Sequence, residues 1–206
     1  MKRSFSLLEL ILTIFIILLI ASYFKFKIQD RSLENASYRL LLYIKEVRYK
    51  ALIDNKYKQD DLLWHKKRWT LKFFRCKKSV GGIYYVIYSD TNNSGHPKLS
   101  ESLLDPLNAK RIYSSNSCDY SKNTSKYVLL TKEFDINRVE VSCNNTSSIG
   151  QISFGNRGEV YSKLSSYDNE SEKYQINEIC NIRIYNNDKK YKELVIEPNT
   201  GYSYIK

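Results

Sequence analysis

Glycine and proline are scarce in this 206-residue chain, 7 and 3 respectively, which excludes collagen-like, Pro-rich and Gly-rich linker architectures. There are two histidines and one methionine. His65 and His96 stand alone, and there is no Walker-type loop and no G-x-S-x-G turn. Nucleophile, base and orienter therefore have no recognisable motif, and the expectation is a protein that is not an enzyme. Acidic residues are also in deficit, 22 Asp plus Glu against 33 Lys plus Arg, for a net charge of +11. What the chain has in quantity is aromatic surface, including 18 tyrosines, enough to build a core. Its mean hydropathy is −0.48 despite one intensely apolar segment, so the remainder is distinctly polar.

That segment lies at residues 7–24, LLELILTIFIILLIASYF, interrupted only by Glu9, Thr13 and Ser22. Counted over 5–27 it is long enough, at about 1.5 Å per residue, to cross a hydrocarbon core of about 30 Å. A secretory signal peptide has a shorter apolar region, about 7 to 15 residues, and ends at a small-residue cleavage site. Here the run ends in Tyr23-Phe24-Lys25-Phe26-Lys27. Lys2 and Arg3 precede the span and Lys25 and Lys27 follow it, so flanking charge does not set its orientation. A carboxylate within a span, Glu9, is costly to insert and normally has a partner and a task.

Lys2-Arg3-Ser4-Phe5-Ser6-Leu7-Leu8-Glu9-Leu10 resembles the class III leader of type IV prepilins and pseudopilins, with Ser4 where that family usually has Gly. The resemblance implies cleavage between Ser4 and Phe5 by prepilin peptidase, N-methylation of Phe5, and an assembly role for Glu9 as the fifth mature residue. A Glu9 carboxylate pairing with a neighbouring subunit's terminal amine would set register more than stability.

Beyond the span the pattern turns amphipathic. Leu33, Ala36, Leu40, Ile44, Val47 and Ala51 recur at helical spacing without Pro or Gly, predicting one helix from about Phe5 to about Asp54. Strand-like runs follow at 69–75, 83–88, 127–131, 136–141, 151–154, 176–185, 191–197 and 202–205, separated by turn signals such as Gly155-Asn156-Arg157-Gly158 and Pro198-Asn199-Thr200-Gly201. The expected fold is α+β, a long N-terminal helix packed on antiparallel sheet. The expected divisions are a leader at 1–4, a membrane helix at 5–27, its amphipathic continuation at 28–55, and a β-rich periplasmic domain at 56–206. The Trp69 strand, the 152–158 turn and the 195–202 segment also look like the minor pseudopilins of the GspH/FimT type. That resemblance implies a pilin-like subunit anchored once in the inner membrane, its partners being prepilin peptidase, other pilins and an inner-membrane assembly platform. It leaves open whether the filament serves type II secretion, a pilus or DNA uptake.

Four cysteines, Cys76, Cys118, Cys143 and Cys180, lie beyond the span without a CxxC. An oxidising compartment predicts two disulfides; of three connectivities, the sequential pairing 76–118 and 143–180 is the one we take. Asp90, Asn92, Ser94 and Glu101 stand at positions one, three, five and twelve around Gly95, the spacing of a calcium loop, although such a cluster after a strand also reads as a plain turn. No other cofactor is expected. Residues 1–27 carry a net +3, leaving +8 for the exported part. Its densest run is Lys66, Lys67, Arg68, Lys72, Arg75, Lys77 and Lys78, interleaved with Trp64, Trp69, Phe73 and Phe74. Basic side chains beside aromatics can bind DNA, and the alternative is a strand with solvated lysines.

Overall fold

The computed structural model describes residues 7–206, and the side chains of all of these except 24–30. Helix α1 spans Leu7–Ile53, 47 residues without Gly or Pro. Its second half carries the predicted stripe: Leu33, Ala36, Leu40, Ile44, Val47 and Ala51 are all buried, joined by Tyr43. Full burial of a Leu, Ile or Val side chain contributes about 1.5–3 kcal/mol, so this stripe docks the helix firmly. Past Ile53, the Asp54 N–H donates to Lys50 O (2.9 Å), and Asp54 Oδ2 accepts from Trp69 Nε1 (2.8 Å). The helix end is thereby tied to the start of the sheet.

Among the described residues eight strands form two antiparallel sheets. The first contains β1 (Thr70–Arg75), β2 (Ile83–Tyr88), β4 (Gly150–Phe154) and β5 (Val160–Tyr161), in the order β2-β1-β4-β5. The second contains β3 (Ile136–Val141), β6 (Cys180–Asn186), β7 (Tyr191–Ile196) and β8 (Ser203–Ile205), in the order β3-β6-β7-β8. The chain thus visits the second sheet with β3, returns for β4 and β5, and finishes on the second. Helix α1 contacts both sheets.

The period-two pattern accounts for the faces. In the first sheet Leu71 pairs with Ile87 and Ile152, and Phe73 with Tyr85, so these side chains share the inner face. Thr70, Lys72, Val86, Tyr88, Gln151 and Ser153 share the outer one. Strand β2 is buried throughout, because loops cover that outer face as well. In the second sheet β6 alternates: Ile182 and Ile184 are buried while Arg183 is exposed. On its outer face Arg183 pairs with Glu193, and Tyr185 donates to Glu140 (2.6 Å).

Two expected strands differ. Residues 127–131 form not a strand but a 3-10 turn, Lys126–Val128, followed by a short helix α2, Leu130–Phe134. The reason is packing: Leu130 and Phe134, four apart, are both buried, a helical spacing that overrides the β-propensity of Tyr127, Val128 and Thr131. Asp135 closes α2 in the left-handed region, φ 55°, its N–H bonded to Thr131 O at 3.0 Å. The run at 176–185 becomes a strand only from Cys180; Ile176 instead gives its N–H to Val160 O (2.9 Å).

Candidate assembly helix and basic run

The first half of α1 differs from the second in exposure: every side chain from Leu7 to Tyr23 is exposed. Leu7, Leu8, Leu10, Ile11, Leu12, Ile14, Phe15 and the large side chains on to Tyr23 are exposed all round. Contiguous exposed apolar surface of this extent marks an interaction surface. Glu9 lies in the first turn of α1. Residues 7–23 give about 26 Å of rise, short of the roughly 30 Å of a bilayer core. Among the described residues no helix is long and apolar enough to cross a membrane. The expected span of 5–27 runs past the described side chains at both ends, and Ser4 and Phe5, with the cleavage site between them, lie outside the described residues.

The two turns that carried the family resemblance meet each other. Gly158 has φ 95°, and a Cβ there would lie 2.7 Å from Thr200 O; a Cβ on Gly201, at φ 62°, would lie 2.8 Å from the Phe154 ring. Only glycine permits this approach. Val160 N–H donates to Pro198 O (3.0 Å), and Arg48 of α1 donates through Nε to Thr200 O (2.6 Å). This clasp joins helix, first sheet and second sheet. Glu159, buried beside it, accepts from the Arg157 N–H (2.9 Å) and Arg157 Nε (2.8 Å). The hydrogen bonds from Arg157 hold the Glu159 carboxyl below the usual range against the opposing effect of its burial.

All four cysteines are oxidised, Cys76 with Cys118 and Cys143 with Cys180, at Cα separations of 5.7 and 5.3 Å. The first bridge fastens the end of β1 to the long segment between β2 and α2. The second joins the turn after β3 to the first residue of β6.

The expected calcium residues are brought into one loop, most of their oxygens bonded within the loop itself, while Glu101 Oε2 is buried without a partner among the described residues. Asp90 Oδ1 accepts from the Ser94 N–H (3.0 Å) and Oδ2 from the Gly95 N–H (2.8 Å). Asn92 Oδ1 also accepts from the Ser94 N–H (2.8 Å), and Glu101 Oε1 accepts from Thr91 Oγ1 (2.7 Å) and the Asn92 N–H (3.1 Å). Ser94 Oγ donates to His96 O (3.0 Å). This is an Asx-type turn closed by its own amides. Among the described residues no group of three or more His, Cys, Asp and Glu side chains is placed to hold a metal ion.

The basic run is divided among several roles. Arg68 is buried; its guanidinium stacks 3.8 Å over Tyr161 and 4.9 Å from Trp64, and bonds Ser171 O (2.5 Å) and Glu172 Oε1 (3.0 Å). Lys67 pairs with Asp61 at 2.5 Å. Lys77, Lys78 and Arg75 are exposed at the far end of β1, whose six residues put about 20 Å between them and Lys66. Comparison with protein-family models, with curated proteins and with solved structures finds no match.

Lys66 and Lys72 enter a cavity of about 280 Å³ on the outer face of the first sheet. Lys163, Gln151 and Tyr88 line it too, and sequence reasoning singled out none of these three. The available signal was weak: Gln151 and Ser153 alternate with the apolar Ile152 and Phe154, which marks an outer face and nothing more. Burial pushes the Lys72 ammonium below its ordinary pKa, while burial and then Asp90 and Glu101 push the Tyr88 phenol up.

Proposed function

We propose that this chain is a minor pilin or pseudopilin, held by residues 5–27 in the inner membrane, with a periplasmic domain at 56–206, and assembled into a type II secretion or type IV pilus-like filament. The observation that carries the reading is the first half of α1: apolar on every face, exposed along 7–23, and bearing the single carboxylate Glu9. Such a surface needs cover. Lipid supplies it before assembly and neighbouring helices after it. The second half of the same helix is docked through its stripe, so one continuous element links the anchor to the exported domain. Two disulfides suit an oxidising compartment. The leader adds the processing step: prepilin peptidase cuts between Ser4 and Phe5 and methylates Phe5.

The basic residues are split between structural contacts, a cavity and a distant turn, so the reading is of a structural subunit and not of a DNA-uptake pilin. The deciding experiment is co-expression with and without a prepilin peptidase, followed by mass spectrometry of the mature N-terminus. An N-methylated Phe5 that appears only with the peptidase is the expected result. A terminus anywhere else refutes the reading.

A further inference from the structure

The cavity on the outer face of the first sheet is built from separate parts of the chain. Lys66 comes from the 3-10 turn before β1, Lys72 from within β1, Gln151 from β4 directly opposite Lys72, and Lys163 from the segment after β5. Tyr88 at the end of β2 and Asp90 just beyond it also line its wall. Three lysines and one aspartate thus share the lining, and the Asp90 carboxylate already accepts two backbone N–H groups.

The polar groups here are unspent. Gln151 is 6% exposed and Tyr88 7%, yet among the described residues neither the carboxamide nor the phenol has a hydrogen-bond partner. Neither group is among the polar atoms sealed from solvent without a partner, so both remain open to an incoming ligand. Lys72 is half-buried and has no carboxylate partner among the described residues; its ammonium lies 5.3 Å from the Phe74 ring. Lys66 gives one N–H to Asn93 O (3.2 Å), which leaves two donors, and Lys163 rests 5.1 Å from the Tyr174 ring. A folding argument alone would place Met or Leu at position 72. Three lysines from different elements, with an amide and a phenol beside them, line one cavity, and a tetrahedral dianion entering it can use more of these flexible donors than a planar monoanion. The volume holds a phosphoryl group with a substituent of a few atoms and excludes a duplex.

We propose that this cavity binds a phosphate group, either free or as the terminal monoester of a small molecule. The inference does not depend on the pilin reading. The test is titration calorimetry on the full chain in detergent micelles at low salt, with inorganic phosphate, glycerol 3-phosphate and, as a planar control, acetate. One saturable phosphate site is expected, and whichever phosphate compound binds tighter identifies the source. Lys72→Met and Gln151→Leu should each weaken binding at least about tenfold, while Lys77→Met at the far turn changes it less than about twofold. Lys72→Met should melt no lower than the wild type, which separates lost binding from lost fold; Lys163→Gln provides an independent variant. No saturable phosphate heat, acetate bound as tightly as phosphate, or equal losses for Lys72→Met and Lys77→Met would overturn the proposal. Duplex DNA binding that Lys77→Met weakens as much as Lys72→Met would overturn it in favour of an open polynucleotide surface.

Discussion

Arg68 sits in a Lys-Lys-Arg run that looks like a solvated patch, but removing it should unfold the domain sooner, where removing its neighbours should not. Its side chain is 5% exposed, held between Tyr161 and Trp64 and bonded to Ser171 O and Glu172. A hydrogen bond from a charged donor contributes about 1.5–3 kcal/mol. The Glu172 side chain is half-exposed, so solvent screening reduces its share to about 0.5 kcal/mol. Stacking on Tyr161 adds about 1 kcal/mol. Against these stands the buried, unpartnered Nε, whose desolvation the substitution relieves. The net expectation for Arg68→Ala is a loss of about 3 kcal/mol, equivalent to roughly 6–12 °C in Tm for a domain of this size. Arg68→Lys keeps the charge but loses the planar fork and the stack, and should recover less than half of that. Lys66→Ala should stay within about 0.5 kcal/mol. Thermal melts followed by tryptophan fluorescence suit the purpose, because Trp64 and Trp69 both flank the site. If Arg68→Ala melts like the wild type, or Lys66→Ala falls as far, the assignment of Arg68 to the core of this region is wrong.

Three further outcomes follow from other parts of the molecule. Glu9→Ala should leave membrane insertion intact and reduce incorporation into sheared filaments, since the carboxylate supplies register and not hydrophobicity; undiminished incorporation counts against the proposed pairing. Replacing Cys143 and Cys180 together with alanine opens a loop of 37 residues and should cost about 2–4 kcal/mol in denaturant melts, with peptide mapping of unreduced protein confirming the two pairings. His65 is buried, and burial followed by the nearby cationic Arg68 and Lys66 holds its pKa below the ordinary histidine value, opposed by its bond to Ser165 O (3.1 Å). The unfolded chain therefore takes up a proton near pH 6.5 while the folded one does not, so stability is full above that pH and declines below it. The loss from this group is at most about 1.4 kcal/mol at pH 5.5. Comparing Tm at pH 7.5 and 5.5 for the wild type and His65→Gln should show the decline flattened in the variant. An unchanged slope would remove His65 as its cause.

Periodicity made the helix and most strands legible, because α1 repeats at three and four residues without Gly or Pro and β6 alternates strictly. The failures have a common cause in contacts remote along the chain. Residues 127–131 carry strand propensity, but Leu130 and Phe134 meet the core four residues apart, a fact fixed by what covers them. Arg68 reads as one of a basic cluster until Tyr161, 93 positions later, lies under its guanidinium. The cavity was the least legible feature, since Lys72 is set opposite Gln151 only by the β1–β4 pairing, and Lys163 joins the same lining from the segment after β5. Asp90 and Glu101 bond different groups of one loop. What spacing could not convey was the direction of their oxygens, which depends on amides at 92, 94 and 95.

Apolar burial alone would leave α1 free to slide or rotate by small amounts, since the hydrophobic effect is not directional. Polar ties at three levels of the helix remove that freedom. Arg39 Nη1 donates to Tyr43 Oη (3.0 Å), Tyr43 donates to Asp105 Oδ2 (2.6 Å), and Ser125 Oγ donates to the same oxygen (3.0 Å). Burial, and then Asp105, push the Tyr43 phenol far up, so it remains a donor at any physiological pH. Arg39 also stacks 3.8 Å over Tyr127, whose carbonyl accepts from Tyr85 Oη (3.2 Å). Arg48 reaches Thr200 in the glycine clasp, and Asp54 receives Trp69 at the helix end. A slip of α1 by one turn would strand the buried Asp105 carboxylate without Tyr43, at a cost of several kcal/mol. In the proposed filament the stagger between subunits would be set on the first half of the helix and used by the β-rich domain. A helix pinned at residues 39–43, 48 and 54 carries that stagger across without loss, which packing of the apolar stripe by itself could not do.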